Sequence, residues 1–247
     1  MKLGSIGIIG YGAFGAFLAV LIKRFAPEVR ILVHSSRQAP DGELFHSFED
    51  VCKADAVILA VPIHAFGDTL RKAAPLLGAT TIVVDVSTVK SYTAGLLKEI
   101  LGARRYIATH PMFGPESYAK RKENVAGMRI VVTEHTLAQN EVDAFLDHLR
   151  GIGFDVVIMS SDQHDKHLAD TLFLTHYIGQ IVHASGFERT EIDTVSFGFL
   201  MDAVDSVKHD RALFEDVYRF NPYCAETIER FETSERHVRN VLKEATE

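Results

Sequence analysis

Cysteine occurs only twice in the 247 residues, at Cys52 and Cys224, and tryptophan not at all. Two cysteines so far apart, in no metal-binding or redox spacing, exclude a disulfide framework and a thiolate zinc site. They fit a reduced cytoplasm. A basic surplus is also missing. The 26 Lys and Arg stand against 33 Asp and Glu, a net charge of −7. No positive field draws this chain to nucleic acid or to an anionic membrane. Internal repeats, low-complexity tracts and long linkers are lacking too. What remains is an ordinary globular balance, 47% apolar and 24% charged. The length allows one large or two modest domains.

Charge is absent over one whole stretch, Leu3 to Ile22, preceded by Lys2. By hydropathy alone this is a membrane anchor or signal peptide. Its five glycines, at 4, 7, 10, 12 and 15, argue otherwise, because each weakens a membrane helix. They suit a strand, a tight turn and a helix. Gly10-Tyr11-Gly12-Ala13-Phe14-Gly15 is a full GxGxxG after a predicted strand and before a predicted helix. Gly10 permits the turn, Gly12 lets backbone approach a pyrophosphate, and Gly15 lets helix and strand pack closely. The helix N-terminus attracts the anion. All six residues are expected to hold a dinucleotide.

Strand and helix patterns alternate through the first two thirds. "SIGIIG", "VRILVH", "ADAVILAVP", "TTIVVDV", "RRYIATH", "MRIVVT" and "FDVVIMS" read as strands. Near-continuous apolar strands separated by helices predict a doubly wound parallel sheet covered on both faces. The pattern changes near Ser160, after which every segment carries helical spacing. Residues 1–160 are therefore expected to form a Rossmann-type α/β domain. Residues 161–247 are expected to form a small all-helical domain for substrate binding and dimerisation.

The second strand bears on which dinucleotide. A cofactor without a 2′-phosphate is usually held by Asp or Glu about 20 residues past the glycines. Here that place reads His34-Ser35-Ser36-Arg37, without a carboxylate. Two hydroxyls and a guanidinium are what a ribose 2′-phosphate needs. A charge-assisted contact of ~1.5–3 kcal/mol gives roughly a 10- to 100-fold preference. The expected cofactor is NADP. Val61 and Pro62, at the third strand's end, complete its expected contacts.

In a doubly wound sheet, ligands sit at the carboxyl ends of strands. There the sequence supplies His64, Ser87, Thr88, Lys90 and, in "ATHPMFGPES", His110. Thr88 and His110 end different strands and can converge on a nicotinamide. Histidine is the natural general base at neutral pH. The stiff Pro-Met-Phe-Gly-Pro after it would fix a loop.

The pieces "IGIIGYGAFGAFLA", "HSSR", "ILAVPI", "DVSTVK", "THPMFGPES" and "HDKHLADTLFLTHYIG" follow in the order found in the prephenate/arogenate dehydrogenase family. The chain resembles that family over nearly its whole length, and most of all its plant and cyanobacterial arogenate type. "HPMFGPES" is the most specific piece. The resemblance implies an NADP-dependent oxidative decarboxylation that makes tyrosine from arogenate, or 4-hydroxyphenylpyruvate from prephenate. It implies that His110 accepts the hydroxyl proton as hydride departs. Thr88 stands where the family usually has serine, and Tyr118 where it commonly has glycine. Ser117 and His176 are implied substrate contacts. Asp193 is implied as the selector of arogenate's ammonium, or it caps the helix beginning near Thr194.

Many bacterial members meet a substrate carboxylate with arginine where Asp205 stands here. Lys166, Arg121 and Arg189 remain as unranked cations. His164 and His167, three apart, lack further ligands at metal spacing, so no metal is expected. His164 is assigned to the family's "HD" helix start. A fused regulatory or mutase domain, found in some relatives, is not expected. Imine and ketopantoate reductases share the opening fingerprint, but "THPMFGPES" and His176 speak against them. An inactive NADP-binding sensor would be damaged at His110 or Thr88, and neither is.

Overall fold

The computed structural model describes residues 3–246; Met1, Lys2 and Glu247 lie outside. The chain divides into two units, the first ending at His164 and the second starting at Asp165.

The first unit is built on a seven-stranded sheet: β1 (Ser5–Ile9), β2 (Arg30–His34), β3 (Ala56–Leu59), β4 (Ile82–Asp85), β5 (Tyr106–Pro111), β6 (Arg129–His135) and β7 (Asp155–Ile158). Its order is β2-β1-β3-β4-β5-β6-β7. The chain passes from β1 outward to β2 and then back to β3 on β1's other side. That reversal creates a switch point at the carboxyl end of β1. Helices α1 (Ala13–Phe25), α2 (Phe48–Cys52), α3 (Ile63–Ala73), α4 (Lys90–Leu101), α5 (Pro115–Lys120) and α6 (Gln139–Ile152) fill the connections.

The inner strands β3, β4 and β5 are buried along nearly their whole length because both faces of the sheet are covered there. Successive side chains of β3 point opposite ways. Val57 and Leu59 pack with Phe66, Leu70 and Leu97 of α3 and α4. Ile58 packs with Leu18 and Ala19 of α1. Val142 and Leu146 of α6 cover Ile82, Ile107 and Val132.

One expectation is corrected. The sheet is not wholly parallel, because β6 runs antiparallel to β5. Only the short α5 stands between them, so the chain returns rather than crossing over. A helical crossover then makes β7 parallel to β6. The β5–β6 pairing carries a register shift at Ala108/Thr109, immediately before His110.

The second unit is helical: the end of α7 (Ser161–Leu168), a π-helical turn Ala169–Phe173, α8 (Leu174–Ala184), α9 (Val195–Val207), α10 (Arg211–Phe220) and α11 (Cys224–Glu244). The helical segment that follows Ser160 passes through this π turn between α7 and α8. Phe173, at the end of that turn, stacks on Phe214 and Tyr218 of α10. Gly179 lets α8 and α9 approach, since a Cβ there would sit 2.3 Å from Val207 Cγ2. Asp170 accepts from Thr227 Oγ1 at 2.9 Å and pairs with Arg230, which ties α11 to the turn. Among the described residues no helix is long and apolar enough to cross a membrane.

Candidate active site

The β1–α1 turn has the geometry of an anion cradle. Gly10 has φ +103°, and a Cβ there would stand 2.3 Å from Ala60 O. A Cβ on Gly15 would stand 2.1 Å from Gly10 O. Both positions therefore exclude a side chain. Gly12 differs, because nothing lies within 4 Å of where its Cβ would be. It opens onto free space at the N-cap of α1, where no side chain caps the helix and no acid lies in the first turn. The uncapped N–H groups and the helix dipole favour a phosphate there. Tyr11 packs edge-on against Phe45, and Phe14 lies tilted against Phe17. Ala13 is exposed.

At the end of β2, His34 accepts at its carbonyl from Gly10 N–H, 2.9 Å, so the two turns are stitched together. Ser35 is buried, and its hydroxyl accepts from Arg37 N–H at 3.2 Å. Ser36 and Arg37 are exposed, and Val61 and Pro62 border β3's carboxyl end, half-buried and exposed. These residues fit a dinucleotide: a backbone cradle at the switch point, then hydroxyls and a guanidinium after β2.

The carboxyl ends of β4 and β5 hold a buried polar network. Asp85 and Lys90 are wholly buried and paired, Nζ to Oδ2 2.5 Å. Asp85 also accepts from Ser87 N–H at 2.7 Å and Thr93 Oγ1 at 2.6 Å. Lys90 donates to Thr109 O at 2.6 Å, and Thr109 Oγ1 to Asp85 O at 2.7 Å. The result is a cross-link between β4, α4 and the residue preceding His110. Ser87 Oγ is buried without a hydrogen-bond partner. Thr88, beside it, is half-buried.

His110 is 5% exposed and His164 3%. Their rings meet, Nδ1 of His110 to Nε2 of His164, at 2.9 Å. Burial holds His110 well below the usual histidine range, with smaller pushes from His164 and the Lys90 ammonium. The ring is neutral at physiological pH, which is the form that accepts a proton.

Sequence reasoning missed this pairing. His164 stands 54 positions from its partner. The legible signal was local: Ser160-x-x-Gln163 opens α7 as a capping box. Ser160 Oγ accepts from Gln163 N–H at 3.1 Å, and Gln163 Oε1 accepts from Ser160 N–H at 3.3 Å. Asp85 and Thr93 are equally silent in the sequence, since a strand-ending Asp and a helical Thr carry no signal alone.

Ser117 closes α5's first turn: its hydroxyl accepts from Gly114 N–H and donates to Gly114 O, both at 3.0 Å. Tyr118 is buried against Phe17, and its hydroxyl accepts from Arg24. Arg121 donates to Ala126 O at 2.5 Å.

In the second unit, His176 is buried, stacks on Phe214 and has Nδ1 without a partner. Burial lowers its pKa, against a smaller opposing pull from Asp210. Asp193 accepts from Thr190 N–H at 2.9 Å and Thr190 Oγ1 at 3.1 Å. It does not cap the following helix. Thr194 does, accepting from Phe197 N–H at 3.2 Å. Arg189 pairs with Asp202 at 2.7 Å, and Asp205 with Lys208 at 2.8 Å. Lys166 lies in α7 and is exposed. Among the described residues no group of three or more potential ligands is placed to hold a metal.

A family model, the nucleotide-binding domain of prephenate dehydrogenase, matches residues 36–158. Arogenate dehydrogenase 2, chloroplastic, of Arabidopsis thaliana is 28% identical over 96% of this chain and 70% of its own length. Arogenate dehydrogenase 1, chloroplastic, of the same plant is 29% identical over 92% of this chain, which spans only 37% of that relative. A crystal structure of prephenate dehydrogenase from Aquifex aeolicus, in complex with hydroxyphenyl propionate and NAD+, superposes with a TM-score of 0.77 at 22% identity. It covers 100% of this chain, which covers 93% of it.

Proposed function

The chain belongs to the prephenate/arogenate dehydrogenase family of oxidoreductases, and from that premise we propose that it oxidatively decarboxylates arogenate to tyrosine with NADP. The observation that carries the reading is His110: a buried, neutral histidine at the sheet's carboxyl edge, in the domain that carries the glycine cradle.

A nicotinamide cofactor, when bound, supplies the acceptor for hydride from the ring carbon bearing the hydroxyl. His110 takes the hydroxyl proton as that carbon becomes a carbonyl. The ring carboxylate then leaves as CO2, its bonding electrons enter the ring, and the oxygen regains a proton as the phenol. Thr88 orients the hydroxyl. Ser117 and His176 are assigned to substrate contact, and Asp193 to arogenate's ammonium. The glycine turn residues 10–15 with Val61 and Pro62 hold the dinucleotide, and His34, Ser35, Ser36 and Arg37 surround its 2′-phosphate.

We place the protein in the cytoplasm as a homodimer. Cys52 and Cys224 are unpaired and buried, with thiols pushed up by burial to about 11 and about 12. Phe187, Ile192, Val195 and Phe199 of the second unit are 61–85% exposed, an apolar surface suited to a second copy. Light scattering on purified protein tests the dimer.

The activity test offers arogenate and prephenate separately, each with NADP and with NAD, and follows formation of the reduced nicotinamide. Turnover of arogenate with NADP is expected. Turnover of prephenate alone would overturn Asp193 as selector. Silence with both substrates would overturn the reaction.

A further inference from the structure

Two buried imidazoles in contact raise a question of protons. At 2.9 Å, one N–H lies between His110 Nδ1 and His164 Nε2, and never two. Two arrangements satisfy this. Either His110 donates from Nδ1 and keeps a lone pair on Nε2, or His164 donates and His110 carries its proton on Nε2. Only the first leaves His110 able to accept a proton.

Both rings are held in place. The β5 backbone at Thr109 is fixed by the Lys90 ammonium and follows a register shift, a local twist that re-aims the next side chain. On the other side, His164 lies in the first turn of α7, its N–H bonded to Ser160 O at 3.0 Å. The capping box closes that turn, and Ser161 Oγ donates to Glu134 Oε1 of β6 at 2.9 Å. Since β6 is the strand beside β5, the helix start is stapled next to His110. The Lys90 ammonium acts against a positive charge on the His110 ring, and Glu134 is engaged by Ser161.

We propose that His164 is a positioning residue for the reaction, accepting the His110 Nδ1–H so that His110 Nε2 faces the substrate hydroxyl as a lone pair. This rests on the reading of His110 as the base. When His110 takes the proton, the bond to His164 becomes charge-assisted and strengthens. It is therefore worth more in the transition state than in the ground state, and its loss falls on kcat rather than KM.

The test combines 15N NMR of the histidine rings with kinetics of two variants. In the unliganded wild type, His110 is expected as the Nδ1–H tautomer. His164→Leu removes the acceptor; His110 should shift toward Nε2–H and kcat should fall roughly 10- to 100-fold, the scale set by removing an orienting partner from a working histidine. KM should change little. His164→Gln restores an acceptor oxygen and should recover most of kcat. Finding His110 already as Nε2–H in the wild type overturns the proposal, as does full activity in His164→Leu. The NMR reading needs no substrate. It stands or falls even if neither arogenate nor prephenate is turned over, so failure of the proposed reaction is distinguishable from failure of this one.

Discussion

Lys90 and Asp85 form an ion pair from which water is wholly excluded, with Nζ 2.5 Å from Oδ2. A buried pair is weak evidence of stability in itself, but breaking one strands a charge. Here Asp85 also receives Ser87 N–H and Thr93 Oγ1, and Lys90 also serves Thr109 O. Lys90→Met should therefore cost about 3–5 kcal/mol, read as a lower midpoint in urea denaturation. The double change Lys90→Met with Asp85→Leu should recover part of that loss, because no charge is then left alone. A single variant as stable as wild type would show that the pair is not what holds β4, α4 and β5 together.

The three motif glycines are not equivalent. At Gly15 a Cβ would meet Gly10 O at 2.1 Å, so Gly15→Ala must move backbone. Overpacking of this kind costs roughly 1–3 kcal/mol. At Gly12 nothing lies within 4 Å and φ is −81°. Gly12→Ala should leave the melting temperature unchanged and weaken dinucleotide binding at least about tenfold, since its methyl enters the phosphate space. Calorimetric melting beside a fluorescence titration separates the two. Equal effects of both variants on binding and melting would refute the distinction.

Burial sets His110 well below the usual histidine value of 6.5. Below about 6.5 the unfolded chain takes up a proton that the folded ring refuses, so folding stability falls as pH drops. The loss stops only once pH passes the depressed folded value. Above 6.5 both states are neutral and the residue adds no slope. His110→Gln should flatten the stability–pH curve below 6.5 and leave it unchanged above. Denaturant titrations at stepped pH measure this. His176 is lowered by burial as well and contributes to the same limb, so wild type minus variant is the informative curve.

What the sequence disclosed follows from distance along the chain. The glycine turn was legible because its parts lie within six residues and each has a steric reason. The strands were legible as short apolar runs, which burial on both faces demands of β3, β4 and β5. The reversal of β6 was not, since an apolar strand reads the same in either direction. The short α5 was the missed hint. His110 was legible as a histidine where packing needs none, but its state depends on His164, Lys90 and burial, all set by folding. Asp193 shows the limit of local reading. An acid one residue before Thr194 looks like a cap, yet Thr194 fills that role and Asp193 turns back to Thr190.

Arg37 offers the clearest test of cofactor choice, because its side chain is exposed and its loss should not disturb the fold. Ser35 is buried and already engages Arg37 N–H, so the turn keeps its shape without the guanidinium. A 2′-phosphate is the one feature that distinguishes the two dinucleotides, and no carboxylate stands among residues 34–37 at the end of β2 to favour the free ribose. Arg37→Ala should therefore raise the KM for NADP by roughly 10- to 100-fold, the worth of one charge-assisted contact. The KM for NAD should stay within about twofold, since that cofactor offers the guanidinium nothing to bind. The NADP penalty should shrink at high salt, where the contact in the wild type is itself screened. If the variant loses both cofactors equally, Arg37 supports the turn rather than reading the phosphate. If it loses neither, the 2′-phosphate is held elsewhere or not held at all.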